Sequence, residues 1–297
     1  KILILIYKHN IMMKVYSPLR YPGGKSRIFP FVSHLIEEND MKGIAYAEPY
    51  AGGAGLALKL LIEGWVNNIY INDLNRSIYS FWKVALSRTE DLCDWLYSVE
   101  VTMENWNKYK EIQRNQDSVD EFELAKSTLF LNRTNISGVI KGGPIGGKEQ
   151  AGTYKMDVRF NKPELIKKIR LIATFKNKIH LSNDDGLTFL KKISRKHEDV
   201  FVYLDPPYYK KAADLYMNFF TDKNHEELRN LISNYRKRWM ISYDNEDFVL
   251  KLYGNFRKIE YQLAQYASNR VGKEVLIFDH RIQCSSSLAY LVNAKEL

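Results

Sequence analysis

The stretch Ile44-Ala45-Tyr46-Ala47-Glu48-Pro49-Tyr50-Ala51-Gly52-Gly53-Ala54-Gly55 decides the fold of this 297-residue chain. Its first five residues predict a short strand, and the glycine-rich remainder predicts a tight turn. Helical spacing follows in residues 56–63, and residues 68–73 are typical of a second strand that ends in a carboxylate. The order strand, glycine turn, helix, strand, acid predicts the first unit of a nucleotide-binding α/β sheet.

A second turn, Asp205-Pro206-Pro207-Tyr208, follows the apolar run Val200-Phe201-Val202-Tyr203-Leu204. The run predicts a buried strand, and the prolines end it. Pro206 biases Asp205 toward an extended backbone, which holds the carboxylate at the strand tip. The turn presents acceptors and the flat ring of Tyr208, which together suit the exocyclic amino group of a heteroaromatic ring such as adenine. The tetrapeptide therefore indicates chemistry at an amino nitrogen.

The middle of the chain differs from both ends and predicts an insertion into one α/β domain. Residues 78–135 show polar helical patterns, residues 138–152 hold six glycines and one proline, and strand–helix alternation resumes at residue 179. Residues 78–123 contain 5 Lys/Arg and 10 Asp/Glu, whereas residues 124–163 contain 7 Lys/Arg and 2 Asp/Glu. If the partner is DNA, the basic part should face it and the acidic helices should face away.

Composition and charge bound the possible partners and compartment. The apolar fraction of 45% excludes a disordered chain, and the net charge of +9 suggests a polyanionic partner. Cys93 and Cys284 have no metal-site spacing and no disulfide pattern, so a reducing cytoplasm is the expected setting. The apolar residues 2–6 are too short to span a membrane. We expect residues 1–13 to be an extension, with Met12 or Met13 as the functional start.

Three residues near the N-terminus are candidate ligand contacts, each with a structural alternative. Gly52 would let the backbone approach a ligand beside a helix N-terminus, although a tight structural turn explains it equally well. Asp73 could bind both ribose hydroxyls, or it could cap the next helix. Lys25, in Tyr21-Pro22-Gly23-Gly24-Lys25, could pair with the carboxylate of an amino-acid ligand, or lie in solvent.

Together, these motifs resemble the Dam-type (α-class) DNA adenine-N6 methyltransferases, from about residue 18 to residue 292. The matching pieces are Tyr21-Pro22-Gly23-Gly24-Lys25, Glu48-Pro49-Tyr50-Ala51-Gly52-Gly53-Ala54-Gly55, Asn72-Asp73-Leu74-Asn75 and Asp205-Pro206-Pro207-Tyr208, with weaker similarity in Phe130-Leu131-Asn132-Arg133 and Ile241-Ser242-Tyr243-Asp244. The resemblance implies a Rossmann-like sheet that binds S-adenosylmethionine and releases S-adenosylhomocysteine without a metal. It also implies a catalytic domain of residues 14–77 and 164–297, and a mainly helical target-recognition domain of residues 78–163.

The resemblance assigns roles residue by residue. The implied catalytic residues are Asp205, Pro206 and Tyr208, which would bind a flipped adenine in double-stranded DNA. The implied cofactor contacts are Tyr21, Lys25, Gly52, Asp73, Asp184 and Asp205. Asp184 and its neighbour Asp185 could equally cap the helix that follows them.

Five residues are candidate DNA contacts by charge and by position: Asn132, Arg133, Lys141, Lys148 and Arg270. A solvated surface charge is the alternative for each basic one. The loop Gly142-Gly143-Pro144-Ile145-Gly146-Gly147-Lys148-Glu149-Gln150 departs from the recognition hairpin of the best-known family members. The resemblance therefore does not assign the GATC target common in the family to this chain.

Other functions stay open at this point. A DNA cytosine-N4 methyltransferase uses the same amino-nitrogen chemistry, often with Ser in place of the Asp, and an RNA adenine methyltransferase shares the target base. A regulator that binds DNA and S-adenosylmethionine without turnover is a third alternative. A cognate restriction endonuclease, if one exists, would be a separate protein in a bacterial or phage-infected cytoplasm.

Overall fold

The computed structural model describes residues 15–21, 24–209, 220–264 and 271–297, and these residues form one eight-stranded sheet. The strands are β1 (Ala45–Glu48), β2 (Ile69–Asn72), β3 (Ile179–Ser182), β4 (Val200–Leu204), β5 (Trp239–Asp244), β6 (Arg257–Ala264), β7 (Val271–Phe278) and β8 (Lys295–Glu296). Their spatial order is β3-β2-β1-β4-β5-β7-β6-β8. The first five are parallel, whereas β7, β6 and β8 pair antiparallel.

Helices connect and cover these strands. In the described residues they are α1 (Phe29–Glu38), α2 (Gly55–Ile62), α3 (Arg76–Ser87), α4 (Thr89–Ser98), α5 (Met103–Arg114), α6 (Glu121–Thr134), α7 (Lys162–Ala173), α8 (Gly186–Ser194), α9 (Asp222–Ser233) and α10 (Asp247–Leu252). Several begin at a side-chain cap; Asp120, for example, accepts hydrogen bonds from the first amides of α6. No helix in this part of the chain is long and apolar enough to cross a membrane.

Strand β4 shows why the sheet is covered on both faces. Val200, Val202 and Leu204 belong to the core that includes Leu190 of α8 and Leu228 of α9. The alternate residues Phe201 and Tyr203 belong to the opposite core, which also contains residues of α1, α2 and the inserted helices. Because successive side chains of a strand point to opposite faces, an uninterrupted apolar run requires cover on both sides.

The predicted fold class is confirmed, and the predicted elements lie where expected. The strand predicted at residues 44–48 is β1, the one at 68–73 is β2, and the apolar run that ends before Asp205 is β4. Residues 139–152 form turns and loop, apart from a single bridge that joins Pro144 to Asn135. The predicted extension, residues 1–13, lies outside the described residues.

The boundaries of the insertion stay a prediction, although the elements bear on where to draw them. Residue 78 falls inside α3 and residue 163 falls in the first turn of α7. The apolar side chains of α3 to α7 join the same core as one face of the sheet. The insertion is therefore packed continuously onto the sheet.

Candidate active site

The predicted functional residues collect at the edge where the parallel strands end. From β1 the chain proceeds to β2 and β3 on one side, whereas β4 and β5 lie on the other, so the strand order reverses between β1 and β4. Open α/β sheets bind ligands in the crevice outside the carboxyl ends of strands at such a reversal. Glu48, Asp73, Asp205 and Asp244 end or follow four of these strands, so the edge carries a row of carboxyl groups.

The glycine turn after β1 brings two predicted cofactor contacts together. Gly52 has φ +47°, a backbone conformation that favours glycine, and a Cβ there would lie 2.6 Å from the ring of Tyr21. The indole nitrogen of Trp82 donates a 2.9 Å hydrogen bond to the carbonyl of Gly52. Gly52 is therefore needed both for the turn and for the ring of Tyr21 that packs on it.

Asp73 is held at the end of β2 by backbone amides. One carboxylate oxygen accepts from Gly52 N at 2.8 Å, and the other accepts from Asn75 N at 2.8 Å. Burial raises the pKa of Asp73 to about 6, although both hydrogen bonds act to lower it. Asn75, not Asp73, caps α3 by accepting from Ser77 N. The carboxylate thus joins the glycine turn to β2, in the place expected for a ribose contact.

Glu48, at the end of β1, was quoted in the motif without a role. Its carboxyl group is 6% exposed and accepts hydrogen bonds from the hydroxyl of Tyr46 and from Ala57 N. Burial and the nearby Asp205 raise the pKa of Glu48 to about 8, although the hydrogen bonds from Tyr46 and Ala57 act to lower it. The carboxyl group of Glu48 is therefore mostly protonated at neutral pH.

Asp205 is the centre of a polar cluster at the end of β4. The ammonium group of Lys25 donates to both carboxylate oxygens at 2.9 Å, and the hydroxyl of Ser242 donates to Oδ1 at 2.7 Å. Lys25 is 7% exposed, so the alternative of a lysine in solvent is excluded. The structure places Lys25, a predicted cofactor contact, against the predicted catalytic carboxylate.

Tyr208 closes the other side of this cluster. Its hydroxyl accepts from Lys25 Nζ at 2.7 Å, and the same ammonium lies 5.0 Å from the centre of its ring. Burial and the negative charge of Asp205 raise the pKa of Tyr208 well above its ordinary value, so the phenol stays neutral. Lys25 thus joins Asp205 to Tyr208, and Pro206 is buried in the turn between them.

Sequence reasoning missed four residues that surround this carboxylate. Ser242 of β5 also hydrogen-bonds the hydroxyl of Tyr203 at 2.7 Å. Glu274 of β7 accepts from the hydroxyl of Tyr261 at 2.7 Å and lies 3.8 Å from Lys25 Nζ. The weaker similarity of residues 241–244 to the family was the one sequence signal that included Ser242. No local motif indicated a role for Tyr203, Tyr261 or Glu274.

The structure separates the roles of Asp184 and Asp185. Asp185 caps α8, since its carboxylate accepts from the amides of Leu187 and Thr188. Asp184 instead pairs with Lys192 at 2.8 Å, and its backbone is held by the buried side chain of Asn72 at the end of β2. The capping alternative thus applies to Asp185, and Asp184 stays a candidate cofactor contact beside Asp73.

Asn132 was predicted to contact DNA, and its surroundings correct that prediction. The residue is 1% exposed, and its amide bonds Arg20 N and O at 2.7 Å each and Gly138 O at 2.8 Å. A buried amide with all these partners has no group free for a nucleic acid. Asn132 instead clamps the glycine-rich loop to the segment that leads into Tyr21.

The basic candidates differ in how accessible they are. Lys141 and Lys148 are exposed on the glycine-rich loop, whereas Arg270 lies outside the described residues. Arg133 is partly buried and donates to the carbonyls of Arg159 and Pro18. Burial, and the like charges of Arg20 and Arg159, lower the pKa of Arg133 to about 10. Arg133 therefore stays protonated, in a basic cluster with Arg20 and Arg159.

Comparison with known proteins agrees with this geometry. A family model described as D12 class N6 adenine-specific DNA methyltransferase matches residues 21–267. The Type II methyltransferase M1.LlaDCHI of Lactococcus lactis subsp. cremoris is 26% identical over 212 residues, which cover 69% of this chain and 69% of that protein. The Type II methyltransferase M.CviBI of Paramecium bursaria Chlorella virus NC1A is 23% identical over 235 residues, which cover 77% of this chain and 85% of that protein.

The match to a solved structure described as a class I S-adenosylmethionine-dependent methyltransferase of Listeria monocytogenes covers 95% of this chain and 67% of that chain, with 13% identity and a TM-score of 0.37. The family model spans most of the chain and includes both glycine turns, Asp73 and the Asp205 turn. The resemblance to the Dam-type enzymes is thereby confirmed. The chain belongs to the D12 class N6 adenine-specific DNA methyltransferase family.

Proposed function

We propose that this enzyme transfers the methyl group at the Asp205 turn, to an adenine flipped out of double-stranded DNA at one defined target sequence. The observation that carries the assignment of the turn is the Asp205 carboxylate, which lies at the strand-order reversal among buried polar side chains and is itself 25% exposed. A partly exposed carboxylate in such a place can accept a hydrogen bond from an incoming amino group. Pro206 supports this use, because a proline offers a carbonyl acceptor and no competing N–H.

The residues beside β1 and β2 fit the cofactor. S-adenosylmethionine supplies an electrophilic methyl group when it is bound. Asp73 would accept its ribose hydroxyls, the turn at Gly52 would border it, and Tyr21 and Asp184 would contact it at the edge of the site. Two carboxylates support this fit. The carboxylate of Asp73, held by backbone amides of Gly52 and Asn75, suits the ribose hydroxyls, and the carboxylate of Asp205 suits the positively charged sulfonium.

Asp205 and Pro206 would raise the reactivity of the adenine amino group. The lone pair of an aromatic amine is delocalised into the ring, which makes the nitrogen a poor nucleophile. Two acceptors on the amino hydrogens would return electron density to the nitrogen, while Tyr208 stacks on the base and fixes its plane. Holding both reactants in line replaces a bimolecular encounter by an oriented one. Extraction of the base costs roughly a few kcal/mol of lost stacking.

DNA would approach over the glycine-rich loop and the basic cluster. Lys141, Lys148, Arg133 and Arg270 are the proposed phosphate contacts. Replacing both exposed lysines by glutamine should weaken binding to target and non-target duplexes alike, and should lower the slope of log K against log salt by about 2, since each phosphate contact contributes about 0.9. Fluorescence anisotropy at several salt concentrations measures this slope, and an unchanged slope would remove both lysines from the interface.

Both relatives are Type II methyltransferases, which supports sequence-specific modification linked to a restriction endonuclease. We propose a separate endonuclease chain as the partner and the bacterial or phage-infected cytoplasm as the setting. The glycine-rich loop, residues 138–152, is the proposed reader of the target sequence.

The decisive experiment is expression in a strain free of DNA methylation, followed by single-molecule sequencing of its DNA. We expect N6-methyladenine at one recurrent sequence, and none in cells that express Asp205→Ala at equal levels of folded protein. N4-methylcytosine, or methylation retained in the variant, would contradict the proposal. Unmodified DNA from cells with folded wild-type protein that still binds S-adenosylmethionine and DNA would favour the regulator without turnover.

A further inference from the structure

The ammonium group of Lys25 occupies two acceptor directions of the carboxylate that the target adenine needs. A carboxylate offers about four acceptor directions. Among the described residues, Lys25 donates to both oxygens of Asp205 and Ser242 donates to Oδ1. One direction, on Oδ2, remains for the amino group of adenine, and Asp205 becomes a stronger acceptor for that group when Lys25 gives up at least one of its bonds. This step rests on the proposed role of Asp205.

A displaced ammonium needs another anion nearby. Lys25 is 7% exposed, and an unpaired charge in such a place costs several kcal/mol. The carboxylate of Glu274, which is 2% exposed, lies 3.8 Å from Lys25 Nζ. Glu274 belongs to β7, which is separated from the strand that precedes Asp205, β4, by β5. A movement of about 1 Å would bring the two groups to the usual 2.7–2.9 Å of a charge-assisted hydrogen bond.

Glu274 is itself fixed in position. The hydroxyl of Tyr261, on the adjacent strand β6, donates to Glu274 Oε2 at 2.7 Å, and the two residues are direct partners across the β6–β7 pair. Burial and the charge of Glu274 raise the pKa of Tyr261 well above its ordinary value, so its hydroxyl remains a donor. The carboxylate is therefore an anchored second position for the ammonium.

We infer that Glu274 is a positioning residue for the methyl transfer: it receives the Lys25 ammonium when the target amino group binds Asp205. Among the described residues, the ammonium of Lys25 lies between the carboxylates of Asp205 and Glu274, and binding of the adenine would determine which of them it pairs with. Glu274 would act through Lys25, without touching the base.

The test uses Glu274→Gln, which keeps the shape and removes the charge, with Glu260→Gln as the matched control. Glu260 lies on the same hairpin and pairs with Lys273, away from Lys25. The substrate is a duplex with the target sequence found by sequencing. We expect Glu274→Gln to lower kcat/KM for DNA about tenfold, as for a buried ammonium that loses one of two anions, while the control stays within twofold. The Kd for S-adenosylmethionine should stay within threefold of wild type.

A double-mutant cycle with Lys25→Met separates this role from a structural one. With no ammonium to relocate, adding Glu274→Gln to Lys25→Met should cause no further loss. Equal losses in both backgrounds, or a Glu274→Gln activity equal to the control, would overturn the inference. If Glu274→Gln does not fold, Tyr261→Phe replaces it as the test, because it removes the hydrogen bond to the Glu274 carboxylate and keeps every charge. This variant should lower kcat/KM about threefold. An unchanged kcat/KM would overturn the inference. Wild-type protein that leaves adenine unmodified would instead contradict the proposed function.

Discussion

Two aspartates at the ends of β2 and β4, the strands on either side of β1, are held in different ways. Asp73 accepts hydrogen bonds from two backbone amides, at Gly52 and Asn75. Asp205 accepts them from side chains, Lys25 and Ser242. Backbone amides are placed by the fold itself, whereas side chains can move or change partner. The comparison teaches that the predicted cofactor carboxylate is fixed by the backbone, whereas the proposed catalytic carboxylate has side-chain partners, which can move.

The largest expected effect is a loss of methyl-transfer rate when Asp205 is replaced, whereas replacement of Asp73 should weaken cofactor binding. Asp205→Asn should lower the single-turnover rate of methyl transfer about a hundred- to a thousandfold, since an amide presents a donor toward Lys25 and removes one charged acceptor for the adenine. The Kd for S-adenosylmethionine should change by less than tenfold. Quench-flow with labelled S-adenosylmethionine measures the rate and calorimetry the Kd. A rate within threefold of wild type would show that Asp205 is not the acceptor.

Asp73→Asn should show the opposite pattern. Loss of charged hydrogen bonds to the ribose, worth about 1.5–3 kcal/mol, should raise the Kd for S-adenosylmethionine about ten- to a hundredfold. The single-turnover rate at saturating cofactor should stay close to wild type. If the rate falls and the Kd does not, the roles of the two aspartates must be exchanged.

The pH dependence of cofactor binding sharpens the same point. Because the pKa of Asp73 is raised to about 6, the carboxylate is ionised above that pH and neutral below it. Binding should therefore weaken as pH falls below about 6 in the wild type and stay flat in Asp73→Asn. Protonation of a group whose pKa is raised on folding stabilises the folded chain, so this loss is not acid unfolding at Asp73. Calorimetry between pH 5 and 8 would measure the Kd for S-adenosylmethionine in both proteins. Melting curves at the same pH values would show whether unfolding, rather than protonation of Asp73, causes the weaker binding.

The difference between the backbone partners of Asp73 and the side-chain partners of Asp205 also explains how much of the site the sequence could predict. Gly52 and Asp73 are 21 residues apart in one strand–turn–helix–strand unit, so local motifs located both. Lys25 and Asp205 are 180 residues apart, and their contact follows from the sheet order. Ser242 and Glu274 come from strands β5 and β7, whose patterns predict strands but not which side chain faces Asp205. The buried Asn132 was misassigned for a related reason, since neither burial nor the Arg20 partner is visible in a local motif.

The smallest expected effect tests whether side-chain support of Asp205 can be separated from stability. Ser242→Ala removes one donor and should lower kcat about fivefold, the value of a single net hydrogen bond of about 1 kcal/mol. It also leaves the hydroxyl of Tyr203, which is 2% exposed, without its partner, which should cost about 1–3 kcal/mol in the free energy of unfolding. Adding Tyr203→Phe removes that orphaned hydroxyl, so the double variant should regain stability without regaining kcat. Denaturant melts and steady-state rates on the wild type and both variants make the comparison. If kcat recovers together with stability, Ser242 supports Asp205 through packing alone. If kcat does not recover, the hydrogen bond from the Ser242 hydroxyl helps to hold the Asp205 carboxylate in place.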